Sequence, residues 1–410
     1  MFYFYARHFY FDMMSPLSMF LFAIFVFCAT LLAYIYVGYP LIIISLARFF
    51  RHPIQKKTSS PPVTIVIPTF NEELVIQEKI ENTLKLDYPR DRLQILVCDD
   101  ASEDRTVEVV KTYAAEHVEL SQGTTRAGKV GGLNRALQLA TGEIFVIADA
   151  DILANKDALQ ELVANFADER VGCAMAQTRM SSSETGTSEA GGMYWRYEAL
   201  IRQSESNIHS TVAATGHFMA LRRSLLQPIP IHIILDDLYL ALSTIRQGYR
   251  VISEPKATVW ERPTNSISDE MKRRSRLTAG RFQIIAMSKE YLPHLPFLLR
   301  FQLLSHKFLR LAIPHLMIMA FLSNLLFVLI TPSSTFLSSW MTAALVVQGV
   351  FYSLAVAGKL LFARLTKKSK ALRLLMLPYY LCATNFAGFL GLVNFVSGKR
   401  TVLWHQASRR

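Results

Sequence analysis

Two hydrophobic patterns divide this chain. Long uncharged apolar runs occupy its ends: Met13 to Ala47, Leu311 to Gly358 and Leu374 to Gly398 contain no Asp, Glu, Lys or Arg. Each is at least as long as the ~20 residues a helix needs to cross a bilayer. The first run predicts a span over Leu17 to Val37 that continues tilted toward Ala47, behind an aromatic interfacial stretch at residues 1–15. The second holds two spans parted at Thr331-Pro332-Ser333-Ser334. In the third, Leu374 to Val396, Pro378 and Asn385 predict a break and a re-entrant or interfacial course. Leu295 to Leu311 sets Arg300, Lys307 and Arg310 among Leu and Phe, the pattern of a helix lying in the interface plane.

Between the ends the pattern alternates. Short β-branched runs at Val63 to Ile67, Leu93 to Cys98, Ile144 to Ala148 and Val171 to Gln177 alternate with helical periodicity over Glu72 to Leu84, Asp104 to Ala115, Gly131 to Ala140 and Asp157 to Phe166. Such alternation marks an α/β domain with a mostly parallel sheet. Further on, Ala213 to Leu221 and Arg250 to Glu254 read as strands, Asp236 to Gln247 and Met271 to Met287 as helices. The polar run Ser181 to Gly192 reads as a loop, and Tyr194 to Ile201 as an amphipathic aromatic helix facing the membrane, the substrate or the core. Three regions follow: an N-terminal membrane segment with flanks (1–57), an α/β domain (58–290), and an interfacial helix with about three membrane segments (291–410).

Charge refines this picture. The chain carries +12, of which residues 291–410 contribute +13, so the preceding residues sum to −1. The basic excess therefore lies beside the membrane segments and leaves no nucleic-acid face. Arg48, Arg51, Lys56 and Lys57 outnumber Arg7 across the first span, which places the α/β domain on the cytoplasmic face of the cell membrane. The four cysteines, Cys28, Cys98, Cys173 and Cys382, have no metal or disulfide spacing and read as packing residues.

Candidate chemistry gathers where strands end. The strand at Ile144 runs into Asp149-Ala150-Asp151, two carboxylates one residue apart that can share a hard divalent cation. Pro68-Thr69-Phe70-Asn71-Glu72 ends the first strand, Asp99-Asp100-Ala101-Ser102-Glu103-Asp104 the second, and Arg126-Ala127-Gly128-Lys129 precedes the helix of Asn134. Strand ends and helix starts form the crevice where α/β sheets take ligands. Singly, each set is also common turn and cap chemistry, and Asp236-Asp237 reads equally as a helix N-cap pair.

Taken together and in order, these sets resemble the inverting family 2 glycosyltransferases with a GT-A fold, in the membrane-integrated branch of cellulose, hyaluronan, chitin and poly-N-acetylglucosamine synthases. Thr215-Gly216-His217-Phe218, Arg222-Arg223, Asp236-Asp237 and Gly248-Tyr249-Arg250-Val251 extend the match, which covers Val63 to about Gln283. The resemblance implies a Rossmann-like catalytic domain in which Thr69, Asp99 and Asp100 contact the uridine, with Asn71, Glu72, Arg126, Asn134, Gly216, His217 and Arg273 also on the substrate. It assigns Lys129 to the diphosphate, Asp149 and Asp151 to the donor's ribose–diphosphate and a Mg²⁺ or Mn²⁺, and Asp237 as general base beside Asp236.

One departure bears on product length. Where processive members carry Gln-x-x-Arg-Trp, this chain has Arg273-Arg274-Ser275-Arg276-Leu277. Arg276 retains the diphosphate contact, whereas Leu277 offers no ring to stack on the acceptor sugar. The implied activity is metal-dependent transfer from a UDP-sugar (glucose, N-acetylglucosamine or glucuronate) to a glycan or lipid-linked acceptor, without processivity, in exopolysaccharide or cell-surface glycan assembly. Polysaccharide-export partners go with that role. The alternatives are a processive synthase that exports its polymer, favoured by the number of spans, and a catalytically silent nucleotide-sensing scaffold, disfavoured by the intact carboxylates.

Overall fold

Strands form where β-branched residues are apolar on both faces: Val63–Thr69 (β1) and Ile144–Ala148 (β4) are buried at every position. The computed structural model describes residues 15–180, 186–261, 267–332, 336–362 and 370–398. Around β1 and β4, the strands Leu93–Asp99 (β2), Val118–Gln122 (β3), Ile152–Ala154 (β5), Val171–Met180 (β6), Phe218–Arg222 (β7) and Arg250–Glu261 (β8) complete one eight-stranded sheet of order β3-β2-β1-β4-β7-β6-β8-β5. β3, β2, β1 and β4 run parallel, β6 runs parallel to β8, and β7 and β5 run antiparallel to their neighbours. The sheet direction thus reverses beside β4, at its pairing with β7.

Helices cover both faces. Ile76–Leu84 (α2), Thr106–Lys111 (α3) and Ala158–Val163 (α5) lie on one, Gly128–Leu139 (α4) and Asp236–Arg246 (α7) on the other. Several expectations are corrected. The run Ser181 to Gly192 is not a loop throughout, because a helix, Gly186–Ile208 (α6), starts inside it; residues 181–185 lie outside the described set. Its later turns pack against the first membrane helix, and that tertiary contact is invisible to local composition. β3 and β5 are short edge elements that periodicity could not register, and β8 continues seven residues past the expected Glu254, to Glu261.

Four helices are long and apolar enough to cross a membrane: Pro16–Phe49 (α1), Phe297–Ile330 (α9), Phe336–Leu360 (within α10, Phe336–Phe362) and Leu377–Val396 (within α11, Lys370–Val396). The expected separate interfacial helix is the lower half of α9, interrupted only by a π turn at Leu303–Phe308 and a 3₁₀ turn at Leu309–Ala312. Leu295, Leu299 and Leu303 belong to the apolar core of the α/β domain, and Arg310 pairs with Glu198 of α6. The expected break in the last segment is absent: α11 runs through Pro378, and the Asn385 amide donates back to the Leu381 carbonyl at 2.8 Å. Lys399 to Arg410 lie outside the described residues.

At about 1.5 Å per residue the 34-residue α1 and α9 overshoot a bilayer's hydrocarbon core, so each has turns to spare. Those turns meet α6. Tyr39, Ile43 and Ala47 pack on Ile201 and Ile208, and within this joint Glu205 accepts from Tyr39 Oη, from Thr211 Oγ1 at 2.5 Å and from His306 Nδ1 at 2.7 Å.

Candidate active site

The site is built on the carboxyl ends of β1, β2 and β4. Leaving β1, Asn71 adopts a left-handed φ of 54°, which Asn tolerates, and its side-chain oxygen accepts from Glu103 N at 2.8 Å while its own amide donates to Ser102 Oγ at 2.9 Å. Glu72 N donates to Thr106 Oγ1 at 2.8 Å and Asp100 N to the Thr69 carbonyl at 2.9 Å. The two loops are therefore laced into one rigid edge. Asp99 accepts from Ser102 N at 3.0 Å and from Ser102 Oγ. Asp100 accepts from the amides of Ala127 and Gly128 at 2.8 and 2.9 Å, holding the start of α4 beside Arg126, whose guanidinium stacks 3.4 Å over the Phe70 ring. Amid this lacing the Thr69 hydroxyl oxygen is buried without a hydrogen-bond partner among the described residues.

Lys129, in the first turn of α4, reaches the centre. Its ammonium lies 2.8 Å from Asp149 Oδ1 and 3.1 Å from Asp236 Oδ2. Burial alone would push the ammonium down, but Asp149 and Asp236 outweigh it and hold the group above its usual range. For Asp149 burial pushes up, Lys129 and His217 push down, and the net direction is down. Beneath the Asp149-Ala150-Asp151 turn sits Lys79, fully buried, donating to the Ile152 carbonyl at 2.6 Å. Burial pushes it down to about 8 against the pull of Asp149 and Asp151. Nothing in the sequence flags Lys79, since a lysine in an amphipathic helix reads as solvated.

Asp236 and Asp237 open α7, where the helix dipole favours negative charge. Asp236 is not the expected cap: Leu235 holds that position without a side-chain bond. Burial and the neighbouring Asp236 push the Asp237 carboxyl above its usual range. The segment leading to this pair is pinned from two sides. Asn134 exchanges two 2.8 Å bonds with the Ile229 backbone, and Gln283, on the helix Ile267–Ala286 (α8), accepts from Ile234 N at 3.0 Å and donates to His232 O at 2.7 Å. The structure thus gives Asn134 a backbone partner and brings in Gln283, which no motif marked. Of the helix residues expected on the substrate, Arg273 pairs with Glu261 at 2.6 Å and approaches His217 Nε2 at 3.5 Å. Arg276, among the described residues, forms no hydrogen bond or ion pair but lies in the field of Asp236, Asp237 and Asp149. Leu277 packs against the apolar core.

Among the described residues no three His, Cys, Asp or Glu side chains cluster as a metal cage. Two carboxylates on one turn nonetheless fit Mg²⁺ or Mn²⁺, because such an ion takes one or two protein oxygens and completes its shell with water and substrate phosphate. Asp149 and Asp151 are the two groups that would hold such an ion.

Gly216 makes the arrangement possible. A Cβ there would lie 3.3 Å from Asp237 Cβ and 3.4 Å from Lys129 Nζ. Gly216→Ala should therefore shift Asp237 by a few tenths of an ångström, with Lys129 Nζ left in ordinary contact, and lower turnover about tenfold with nucleotide affinity nearly unchanged, since small misplacements of reacting groups are costly. Steady-state kinetics beside nucleotide calorimetry will check this.

Known proteins share this architecture. Residues 64–229 match the model of glycosyl transferase family 2. The chain is 26% identical over 247 residues to the probable glycosyltransferase YdaM of Bacillus subtilis, covering 55% of this chain and 56% of that one. It is 22% identical over 232 residues to a Staphylococcus aureus poly-beta-1,6-N-acetyl-D-glucosamine synthase, covering 54% and 55%. The chain thus spans about half the length of the curated relatives it matches. Among solved structures, the mannosyltransferase PcManGT of Pyrobaculum calidifontis, in complex with GDP-Man and Mn²⁺, superimposes with a TM-score of 0.69 at 26% identity over 92% of this chain and 99% of that one. Residues 64–229 are thus a glycosyl transferase family 2 domain with the GT-A fold.

Proposed function

We propose that this chain transfers a sugar, with inversion, from a nucleotide-diphosphate donor to an acceptor hydroxyl at the cytoplasmic membrane face, in exopolysaccharide or cell-surface glycan assembly. The observation that carries this is Lys129 held between Asp149 and Asp236, one glycine away from Asp237. A buried Thr69 hydroxyl lacking a partner among the described residues is a ready contact for the nucleoside, because buried polar groups are normally satisfied.

Each residue then has a task. Asp237 takes the proton from the acceptor hydroxyl as its oxygen attacks the anomeric carbon opposite the diphosphate. The raised Asp237 carboxyl suits that role. Lys129 and Arg276 receive the charge that grows on the departing diphosphate, an interaction stronger in the transition state than before it. A divalent cation on Asp149 and Asp151 would supply further neutralisation of the same oxygens. We keep UDP as the donor nucleotide; the Pyrobaculum mannosyltransferase holds GDP-Man with Mn²⁺, so GDP-sugars form the comparison arm.

The test is donor turnover. Purified protein given UDP-glucose, UDP-N-acetylglucosamine, UDP-glucuronate and GDP-mannose should release nucleotide diphosphate from one of them, stop in EDTA, and recover with Mg²⁺ or Mn²⁺. Asp151→Ala should weaken metal-dependent nucleotide binding by roughly 10- to 100-fold in calorimetry. Full activity in chelator would remove the metal from this account.

A further inference from the structure

Helix α8 carries Leu277, which offers no ring, and a tryptophan meets His217 from another element. Trp195, on α6, is half-buried, and its ring centroid lies 5.8 Å from that of His217 with the planes inclined at 48°. Such a tilted contact engages a ring without the full overlap of a flat stack. The guanidinium of Arg202, two turns along α6, lies 5.5 Å from the same ring.

His217 is itself fixed. Its Nδ1 lies 2.9 Å from Thr178 Oγ1 and its carbonyl accepts from Asp149 N at 3.1 Å. It follows Gly216, where an added Cβ would meet Asp237 and Lys129. His217 therefore joins the indole to the chain segment that runs beside Asp149. The helix that carries the indole is anchored through its later turns. Trp195, Glu198, Arg202 and Glu205 recur at helical spacing along one face. The two glutamates are tied to His306, and Glu198 also to Arg310, in the joint with α9. A ring on so firmly seated an element can define a binding surface.

We propose that Trp195 is the acceptor platform of this enzyme, and that the acceptor hydroxyl belongs to a pyranose whose C–H face packs on the indole. This rests on the glycosyltransferase reading and narrows its acceptor to sugar-ended molecules, away from lipid hydroxyls and lipid phosphates. It also means that Leu277 alone does not decide how firmly a product end is held.

The experiment uses full-length protein in a sugar-free polyoxyethylene detergent with the donor it hydrolyses. The acceptor probes are octyl β-glucoside, octyl N-acetyl-β-glucosaminide and octyl α-mannoside, set against dioctanoylglycerol and monooctyl phosphate. An octyl glycoside should be extended by wild type. Trp195→Ala should raise its KM roughly tenfold or more, with Trp195→Phe recovering most of that loss, because a ring face is what the sugar needs. Donor hydrolysis and nucleotide affinity should stay within about twofold in both variants, a split that a merely structural role for the ring would not produce. The proposal is overturned if no octyl glycoside is extended, if only dioctanoylglycerol or octyl phosphate is used, or if Trp195→Ala leaves the acceptor KM unchanged or weakens donor hydrolysis equally. Absence of donor hydrolysis in wild type would instead remove the glycosyltransferase reading itself.

Discussion

Asp237→Asn should abolish most sugar transfer while leaving the donor bound. The substitution keeps the side chain's volume and its ability to accept from Leu238 N, a bond of 2.7 Å in the wild type, but removes the proton acceptor. Turnover should fall by roughly 10²- to 10⁴-fold, the range for a lost general base, with nucleotide affinity within a few-fold of wild type. A pH profile adds an independent check. Burial and Asp236 raise the Asp237 carboxyl, so its active, deprotonated form is lost as pH falls through a value above the ordinary carboxylate range. In wild type kcat/KM should drop on that acid limb, and the limb should vanish from the residual activity of the variant. Near-normal turnover in Asp237→Asn would take the base role away from this residue, and loss of donor binding would make it a binding group.

Much of this site was legible in the sequence because its polar sets fall at strand ends, where the chain must leave an apolar core and expose acid or base. Asp149-Ala150-Asp151 follows the fully buried β4, as the periodicity implied, whereas Lys129 lies inside the first turn of α4, which starts at Gly128 instead of the expected Gly131. Positioning was not legible. Asn134 carries the right motif but spends its amide on the Ile229 backbone, while Gln283 and Lys79, outside every motif, hold the segments bearing Asp236 and Asp151. Both depend on contacts between elements far apart in sequence, which local pattern does not encode. The same reason explains α6. Its polar beginning reads as a loop, and its helical state goes with a later half seated on α1, α9 and α11. Leu277 illustrates the opposite limit: the absence of a ring at one position was plain, but the presence of Trp195 beside His217 required the fold.

The joint between α6 and the membrane helices should be where stability is most easily lost. Each His306 nitrogen faces a carboxylate oxygen, Nδ1 on Glu205 at 2.7 Å and Nε2 on Glu198 at 3.2 Å. With Arg310 on Glu198 as well, both carboxylates are paired from α9 in a site shut off from water. Burial would raise Glu205, but His306, Thr211 and Tyr39 outweigh it and the net direction is down from 4.5. Its contribution is therefore complete above the ordinary glutamate value and is lost as pH falls through the depressed one. His306→Ala strands Glu205 in this joint, and removing one partner of a buried pair costs about 3–5 kcal/mol. His306→Ala/Glu205→Gln should be milder than His306→Ala alone, because the second change removes the stranded charge while Arg310 still balances Glu198. Thermal and urea unfolding in detergent, followed by intrinsic fluorescence, will read both variants. A single variant within about 1 kcal/mol of wild type, or a double variant worse than the single, would show that the joint is held by its apolar contacts among Tyr39, Ile43, Ile201 and Ile208 rather than by these pairs.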